Sequence, residues 1–371
     1  MRGESSGVSR DAGAHDTLHL DRTEVEGTIR SLLASKDVGA LRLGVKGLEE
    51  HLVGPGGNAG PGGPGDIVLR ADVVRAELRQ ALEARTLTRA KHYLRRFQEG
   101  LKEPKFGEIN EINLRRWKEY DEVWTDSLWV MGRRDTSGAH VGWYWGNFVP
   151  EIPRQMMLRY TRKGDWVLDA FAGSGTTLIE CRRLGRNGIG VELSPKVAAS
   201  ARRLVAKEAN ADDVKTEVLV GDSSRLDLRP VLKSLGAHHV DLLIMHPPYH
   251  DIIKFSDDPD DLSNASDVSS FLAGFSACVE NVAPLLARGR YMALVIGDKY
   301  SRGEWIPLGF LCMESVLRRK DFSLKSIIVK NFERTRGKRS SMELWRYRAL
   351  AGGFYVFKHE YIFVFRKRGA A

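Results

Sequence analysis

The chain has 371 residues, enough for one large domain with an appendage or for two domains. Its composition, 42% hydrophobic and 28% charged, is that of a folded globular protein and excludes collagen-like, fibrous and globally disordered chains. No apolar run approaches the roughly 18 to 20 residues that span a bilayer, and the polar start lacks the apolar core of a signal peptide. We therefore expect a cytoplasmic protein without a membrane partner.

Basic residues outnumber acidic ones by 57 to 48, which gives a formal charge of +9. The excess is concentrated in two stretches: residues 318–348 carry eleven basic and three acidic side chains, and residues 85–105 carry seven and two. Such stretches favour a polyanionic partner, although a solvated surface gives the same pattern.

The cysteines are three isolated residues, Cys181, Cys278 and Cys312, with no CxxC pair and no histidine cluster at metal-ligand spacing. This pattern predicts reduced thiols, and it predicts neither a disulfide framework nor a zinc site. We expect no bound metal.

Glycine and proline divide the chain into three predicted regions. Residues 54–65 (GPGGNAGPGGPG) cannot form a core and indicate a linker, so we predict a polar and helical segment with its linker over residues 1–65. We predict a helical, tryptophan-rich accessory region over 66–145 and an α/β domain over 146–371. Between Ile67 and Phe97, apolar residues recur at helical spacing and predict one long or broken amphipathic helix.

Five tryptophans crowd into the end of the accessory region, between Trp117 and Trp145. We interpret them as packing residues, and a surface that stacks nucleobases is the alternative.

From Gly164 onward, short apolar runs alternate with helical segments, which predicts a doubly wound, mostly parallel sheet of seven strands with an antiparallel pair at its C-terminal end. The predicted strands are 166–170, 188–192, 217–222, 240–245, 291–297, 326–332 and 361–366. The predicted helices are 176–184, 195–209, 268–286 and 308–319.

The first of these strands runs into a small-residue turn and then into a helix. Gly173, Ser174 and Gly175 allow close approach of a ligand to the backbone, and the helix from Thr176 offers free N–H groups. Glu192 ends the next strand, 23 residues after Asp169, at a position suited to accept both ribose hydroxyls. Asp222 ends the strand after that. The pattern favours a nucleotide-like ligand, with helix caps and turn residues as the structural alternative.

Four segments together resemble the S-adenosylmethionine-dependent amino-methyltransferases of DNA, a family with a Rossmann-like fold. They are DAFAGSGTT at 169–177, GVEL at 190–193, GDSS at 221–224 and HPPY at 246–249. A further family motif is matched by 147–161, and the resemblance extends over about 147–367. The resemblance implies S-adenosylmethionine as the cofactor and double-stranded DNA as the partner. A restriction-system partner is possible, and the sequence leaves the oligomeric state open.

The resemblance also implies roles for residues of the cofactor site. Asp169 and the loop from Phe171 through Gly173, Ser174, Gly175 and Thr176 to Thr177 would hold the methionine part of the cofactor. Glu192 would hold its ribose and Asp222 its adenine.

HPPY closes a predicted strand, so it projects from the sheet edge beside the glycine turn. The exocyclic amine of cytosine (N4) or adenine (N6) is a poor nucleophile until acceptors hold its N–H groups, and in the family the first side chain and the first proline carbonyl do this. Here they would be His246 and Pro247, with Pro248 stiffening the turn and Tyr249 stacking on a flipped base. The family usually has Asp, Asn or Ser where His246 stands. Histidine matches none of these residues, so the base preference stays open. A neutral imidazole can accept one hydrogen bond, so an unprotonated His246 is compatible with activity.

The polyanion would be gripped mainly by a basic insertion at 330–348, with Arg334, Arg336, Lys338 and Arg339, aided by the basic helix at 85–105. The acidic segment after HPPY predicts a mobile loop in which His250, Lys254 and Ser256 are candidates for nucleotide contact, and Gly297 and Asp298 are candidates for the pocket wall. Two other functions remain open: an RNA amine methyltransferase, and a nucleic-acid-binding protein that lost turnover through His246.

Overall fold

The computed structural model describes residues 16–54, 66–132, 134–141, 144, 146–147, 149–331 and 342–369, without the side chain of Met342. The described residues fall into two compact units, Met1–Glu108 with Ile112–Glu122, and Ile109–Glu111 with Val123–Ala371. The boundary differs from the predicted divisions at 65 and 145, because residues on both sides of the Gly/Pro segment share one core, from Leu20 through Leu52 to Leu101.

The first unit consists of two short strands and four helices that follow one another in the order βααβαα. These elements are β1 (Thr17–Asp21), α1 (Arg22–Leu33), α2 (Val38–Val53), β2 (Asp66–Arg70), α3 (Ala71–Glu83) and α4 (Leu87–Leu101). The prediction of a helix from Ile67 was wrong at its start, since Ile67 and Val68 lie in β2, where alternate residues are buried. β1 and β2 pair antiparallel as a two-stranded sheet.

The second unit is built on an eight-stranded sheet. Its strands are β3 (Leu128–Trp129), β4 (Trp166–Asp169), β5 (Asn187–Glu192), β6 (Thr216–Val220), β7 (Val240–Met245), β8 (Leu286–Ile296), β11 (Phe322–Asn331) and β12 (His359–Lys367). A separate hairpin is formed by β9 (Lys299–Ser301) and β10 (Glu304–Ile306). The helices are α5 (Glu151–Tyr160), α6 (Thr176–Leu184), α7 (Pro195–Lys207), α8 (Arg229–Ser234), α9 (Val268–Val282), α10 (Leu308–Leu317) and α11 (Met342–Gly352).

The strand order is β3-β11-β12-β8-β7-β4-β5-β6, and β12 is antiparallel to both of its neighbours while the other pairs are parallel. The predicted doubly wound sheet is confirmed, with the two-residue β3 as an eighth strand. The chain winds from β4 outward through β5 and β6, then returns to β7 beside β4. In open α/β sheets, ligands bind at such a switch point, outside the carboxyl ends of the strands.

Helices cover both faces of the sheet because successive strand residues point to opposite sides. Leu168 packs with Phe271 and Phe275 of α9 on one face, and Val167 packs with Ile152 of α5 on the other. The segment Val268–Leu285 is long and apolar enough to cross a membrane by length and composition. Its two fully buried phenylalanines instead mark it as a core helix of the sheet domain.

Candidate active site

The turn between β4 and α6 depends on glycine. Gly173 and Gly175 have φ of +50° and +85°, the left-handed region that side chains other than glycine rarely adopt. A Cβ on Gly175 would lie 3.0 Å from the Val205 side chain. The backbone of the turn is therefore held against α7, and α6 begins immediately after it at Thr176.

Asp169 lies under this turn and does not line the cavity beside it. Its carboxylate accepts a hydrogen bond from the Thr177 hydroxyl at 2.5 Å and one from the Phe171 N–H at 2.9 Å. The side chain is fully buried, and burial raises its pKa to about 6. Asp169 and Thr177 thus fix the shape of the loop from below, whereas Phe171 and Gly173 line the cavity.

Asn147 completes the support of the turn. Its amide nitrogen donates to Ser174 Oγ at 2.6 Å, and its amide oxygen accepts from Thr176 Oγ1 at 2.7 Å. Ser174 and Thr176 are buried by these contacts, while Asn147 itself lines the cavity. Its place at the start of the matched 147–161 segment is the only sequence signal for this role.

Glu192 stands at the end of β5, facing the glycine turn. Its two carboxylate oxygens accept from the N–H groups of Gly173 at 3.0 Å and Ser194 at 2.8 Å. Burial raises its pKa. Each oxygen keeps a second acceptor site, so the carboxylate can accept two hydroxyl protons while its orientation is fixed by backbone.

Asp222 follows β6 and also lines the cavity. Its carboxylate accepts from the Ser224 N–H and hydroxyl, both at 2.8 Å, and lies 3.3 Å from Arg225 Nε. Next to it, the Ser223 hydroxyl donates to the Ala170 carbonyl at 2.6 Å and ties this turn to the glycine turn.

One continuous cavity of about 1560 Å³ connects this region with the end of β7. His246, Pro247, Pro248 and Tyr249 all line it, as do Gly297 and Asp298 beyond β8. The two motifs predicted to act together are therefore brought to one space at the switch point of the sheet. Because drug-sized ligands occupy roughly 300–1,000 Å³, the cavity has room for a cofactor and a second ligand.

The side chains of the tetrapeptide are tied to the far end of the sheet. The Tyr249 hydroxyl donates to Glu360 Oε2 at 2.6 Å, and Glu360 Oε1 accepts from Lys330 Nζ at 2.9 Å. Lys330 and Glu360 are nearly fully buried and face each other across β11 and β12. Neither was predicted as a site residue, because only the strand register brings them to HPPY.

The Tyr249 hydroxyl favours one tautomer of His246. The phenol oxygen lies 3.3 Å from His246 Nε2, and its proton is directed to the Glu360 carboxylate. Nε2 must then carry a proton and donate it to the tyrosine oxygen, which leaves the lone pair of the neutral ring on Nδ1. Burial lowers the pKa of His246 to about 4, so the ring is neutral at pH 7.

The residue after the tetrapeptide holds the turn. His250 adopts φ of +52°, a strained conformation for a residue with a side chain. Its ring is buried between Lys299 Nζ, 2.7 Å from Nδ1, and the Ala265 carbonyl, 2.9 Å from Nε2. His250 is therefore a structural anchor and does not line the cavity.

The other predicted contact residues of this loop lie away from the cavity lining. Lys254 is exposed and pairs with Asp257 at 2.5 Å, and Ser256 donates to Asp261 at 2.7 Å. Asp261 also accepts from the Ser263 N–H, so the acidic segment is an ordered, internally bonded loop. Within the described ranges, no group of three or more His, Cys, Asp or Glu residues could hold a metal, and the three thiols are free and buried.

The predicted phosphate-gripping residues Arg334, Arg336, Lys338 and Arg339 lie outside the described residues. Of the tryptophan cluster, Trp124 and Trp129 pack edge to face at 4.9 Å, as the packing interpretation expects, while Trp117 is 60% exposed. Trp143 and Trp145 are not among the described residues.

The sheet order defines a Rossmann-like fold, and the cavity at its switch point is a candidate site for S-adenosylmethionine. The residues fit that cofactor, since a glycine turn at a helix start, an oriented Glu192 and Asp222 line one cavity.

Comparisons with known proteins show what this chain is similar to. A family model described as DNA methylase matches residues 80–203, which include the glycine turn and Glu192 but not HPPY. The Type II methyltransferase M.MjaII of Methanocaldococcus jannaschii is 42% identical over 52 residues, 14% of this chain and 10% of that protein. M.Cfr9I of Citrobacter freundii is 34% identical over 85 residues, 23% of this chain and 27% of that protein.

A solved methyltransferase from Geobacter sulfurreducens, in complex with S-adenosyl-L-homocysteine, overlaps 56% of this chain and 86% of its own at 14% identity, with a TM-score of 0.35. The chain spans a tenth to about a third of the length of the curated relatives that it matches. The resemblance read from the motifs is confirmed by the family model over residues 80–203 and by the Type II methyltransferases over shorter segments.

Proposed function

We propose that the chain moves a methyl group from S-adenosylmethionine to the exocyclic amine of a base in double-stranded DNA, cytosine N4 or adenine N6. One observation carries the proposal: the HPPY turn and the cofactor residues Gly173 and Glu192 line the same cavity. The base would reach it by leaving the duplex. A cytoplasmic location follows from this substrate, and a restriction partner stays a prediction.

The acceptors needed by an amine are supplied by His246 and Pro247. The amine's lone pair is delocalised into the base, and acceptors on both N–H groups favour the tetrahedral nitrogen that can attack. Nδ1 of the neutral His246 ring would accept one proton and the Pro247 carbonyl the other. The adjacent prolines restrict the turn, so the carbonyl keeps its direction.

The ring of Tyr249 would stack on the base, and its hydroxyl would hold the turn in place. The ring lies edge to face with His246 at 5.7 Å, and its hydroxyl is fixed by Glu360. Positioning of the two reactants supplies most of the rate in such a transfer. The cofactor would supply the activated methyl group, and Glu192, Asp222 and Phe171, which line the cavity, would hold it.

The test is to incubate the purified chain with labelled S-adenosylmethionine and, separately, duplex DNA and total RNA, then to identify the methylated nucleoside. N4-methylcytosine or N6-methyladenine from DNA is expected and would settle the base. Label in RNA alone would contradict the proposal in favour of an RNA amine methyltransferase. Cofactor binding without any product would identify a binding protein.

A pair of histidine variants sharpens the test. His246→Ala should lower the rate by on the order of 10²-fold, the usual cost of losing one preorganised hydrogen-bonding group. His239→Ala, at an exposed residue just before β7, is the matched control and should leave the rate unchanged. Equal rates for both variants would exclude His246 from the reaction.

A further inference from the structure

The first unit is an internal duplication with an offset of 49 residues. β1 maps onto β2, α1 onto α3 and α2 onto α4 by this single shift. Buried core residues follow the same offset, in the pairs Leu20/Leu69, Val25/Val74, Ile29/Leu78, Leu41/Ala90, Val45/Leu94, Leu48/Phe97 and Leu52/Leu101.

The N-cap residues of α2 and α4 are separated by the same 49 residues. Asp37 caps α2 by accepting from the Ala40 N–H, and Thr86, 49 residues later, caps α4 by accepting from the Arg89 N–H. Seven core pairs and a pair of caps at one spacing indicate two copies of one βαα element.

The two copies are related by a pseudo-two-fold axis through their strands. Thr17 pairs with Arg70 and Asp21 with Asp66, so shifting each partner by 49 residues exchanges these two pairs with each other. The axis passes through the central pair, His19 and Val68.

The strands turn one face away from the core of this unit, and half of the residues on that face are exposed. Leu20, Ile67 and Leu69 are buried and Leu18 packs on the same core, so the alternate residues point outward. The outward set is Thr17, His19 and Asp21 from β1, and Asp66, Val68 and Arg70 from β2.

We infer that this ribbon is a DNA-reading element that enters the major groove of a duplex. The inference rests on the proposed function, which supplies duplex DNA as the partner. A two-stranded ribbon has the width that the major groove admits, and β-ribbon proteins read bases from there. The local two-fold symmetry of a duplex matches the symmetry of the ribbon.

The chemistry of the outward face fits base edges better than a protein partner. Thr17 and His19 can donate and accept hydrogen bonds, and Val68 is 44% exposed, suited to a thymine methyl group. A protein interface would need larger apolar anchors. Asp21 caps α1 through the Thr23 and Glu24 N–H groups, which compensates part of its charge.

Basic residues also occupy equivalent positions in the two copies. Lys36 and Arg85 are 49 residues apart, each directly before the cap of α2 or α4. Both are exposed, and within the described part of the chain neither forms an ion pair. They have the charge and the symmetry to contact phosphates on either side of the groove. Arg70, by contrast, is neutralised by Asp72 and Asp121.

The experiment starts from the full chain and a library of random duplexes, from which the bound sequences are selected. Binding of a selected and a scrambled duplex is then measured as a function of salt. The ribbon variant is His19→Ala/Val68→Ala, and the flank variant is Lys36→Glu/Arg85→Glu. The matched control is Lys46→Glu/Arg95→Glu, an exposed pair at the same 49-residue offset within α2 and α4.

The ribbon variant should reduce the preference for the selected duplex by roughly tenfold while the scrambled duplex binds as before. The flank variant should weaken both duplexes and lower the slope of log affinity against log salt by about two. The control should change the slope much less. If no sequence is selected, or if the ribbon and flank variants behave as the control does, the inference is overturned.

Two further readouts separate the outcomes. Thermal unfolding identifies a variant that fails to fold; in that case His19→Ala alone, at a partly exposed residue, replaces the double variant. Methylation is assayed on the same duplexes. Ribbon-dependent binding without methyl transfer would support the inference and contradict the proposed function. Methylation of DNA with unaltered selectivity in the ribbon variant would support the proposed function and contradict the inference.

Discussion

The hydrogen-bond chain from Lys330 to His246 makes the substitution Glu360→Gln a sharp test of the active site. In the native chain, Glu360 accepts from Lys330 Nζ at 2.9 Å and from the Tyr249 hydroxyl at 2.6 Å. A glutamine side chain has one oxygen and one NH₂ group, and of these two only the oxygen can accept a hydrogen bond from the Lys330 ammonium. The amide NH₂ then faces Tyr249, whose oxygen must accept.

The reversed direction of this hydrogen bond also reverses the next one, between Tyr249 and His246, and so changes the group that faces the base. The Tyr249 proton would turn to His246 Nε2, which must become an acceptor, so that Nδ1 carries the ring proton. Nδ1 would then face the target amine as a donor. Removing a preorganised group or imposing the wrong histidine tautomer has cost other enzymes about 10² to 10⁴-fold in rate. We expect a loss in that range with cofactor affinity unchanged.

The fold should survive the change. Leaving a buried charge without any partner costs about 3–5 kcal/mol, but the glutamine oxygen still meets Lys330, so we expect a smaller loss, about 1–3 kcal/mol in unfolding free energy. Denaturant unfolding measures this loss, and single-turnover methyl transfer measures the rate. The ¹⁵N signals of the imidazole report the tautomer directly.

Tyr249→Phe provides the decisive comparison, because it removes the hydroxyl that links Glu360 to His246 by hydrogen bonds. The phenylalanine variant should be less impaired than Glu360→Gln, since His246 can then choose either tautomer. Adding Glu360→Gln to Tyr249→Phe should cause no further loss of rate. A full additional loss in the double variant would refute the tautomer argument, as additivity indicates independent effects.

Three further predictions concern pH, the cofactor turn and the sheet. Because burial lowers the pKa of His246 to about 4, the rate of methyl transfer should not change with the protonation of this residue between pH 5 and 8. The rate should fall as the pH drops through about 4. A fall centred near pH 6.5 in a pH–rate profile would contradict the burial of the ring. The same shift makes the unfolding free energy decrease as the pH drops from 6.5 toward 4, since the unfolded ring takes up a proton that the folded ring refuses. Asn147→Ala removes two side-chain hydrogen bonds under the glycine turn and should weaken S-adenosylmethionine binding about tenfold by calorimetry; unchanged affinity would show that the turn holds itself. Gly190→Ala would place a Cβ 2.7 Å from that of Ala172 and should destabilise the chain by about 1–3 kcal/mol. Gly132→Ala, whose Cβ would meet no atom of the described residues within 4 Å, should be neutral in the same denaturant series.

The titration of His246 shows where sequence reasoning reached its limit. A histidine in water titrates at about pH 6.5, so the motif alone gives no reason to expect a lower value for His246. Burial at the end of β7 and the nearby Lys330 move the transition to a lower pH, and neither is visible in the letters HPPY. The role proposed for the residue stays the same while its pH dependence changes.

The α/β domain was predictable because its strands are short apolar runs, bounded by glycine turns and separated by helices of ordinary length. Four predicted helices begin at the residues where the structure begins them, Thr176, Pro195, Val268 and Leu308. The first unit was harder. The sequence Asp66–Arg70 alternates buried and outward residues over only five positions, and its apolar residues also continue the helical spacing of α3. A comparison of the chain with itself at an offset of 49 would have separated the two elements.

The support of the catalytic turn depends on a contact that local sequence cannot show. Glu360 is 111 residues from Tyr249, and it reaches the tetrapeptide because antiparallel β12 lies between β8 and β11. The same strand places Glu360 opposite Lys330, whose ammonium lies 2.9 Å from the buried carboxylate. The antiparallel strand thus joins β8 to β11 in the sheet, and its Glu360 also orients the Tyr249 phenol beside His246.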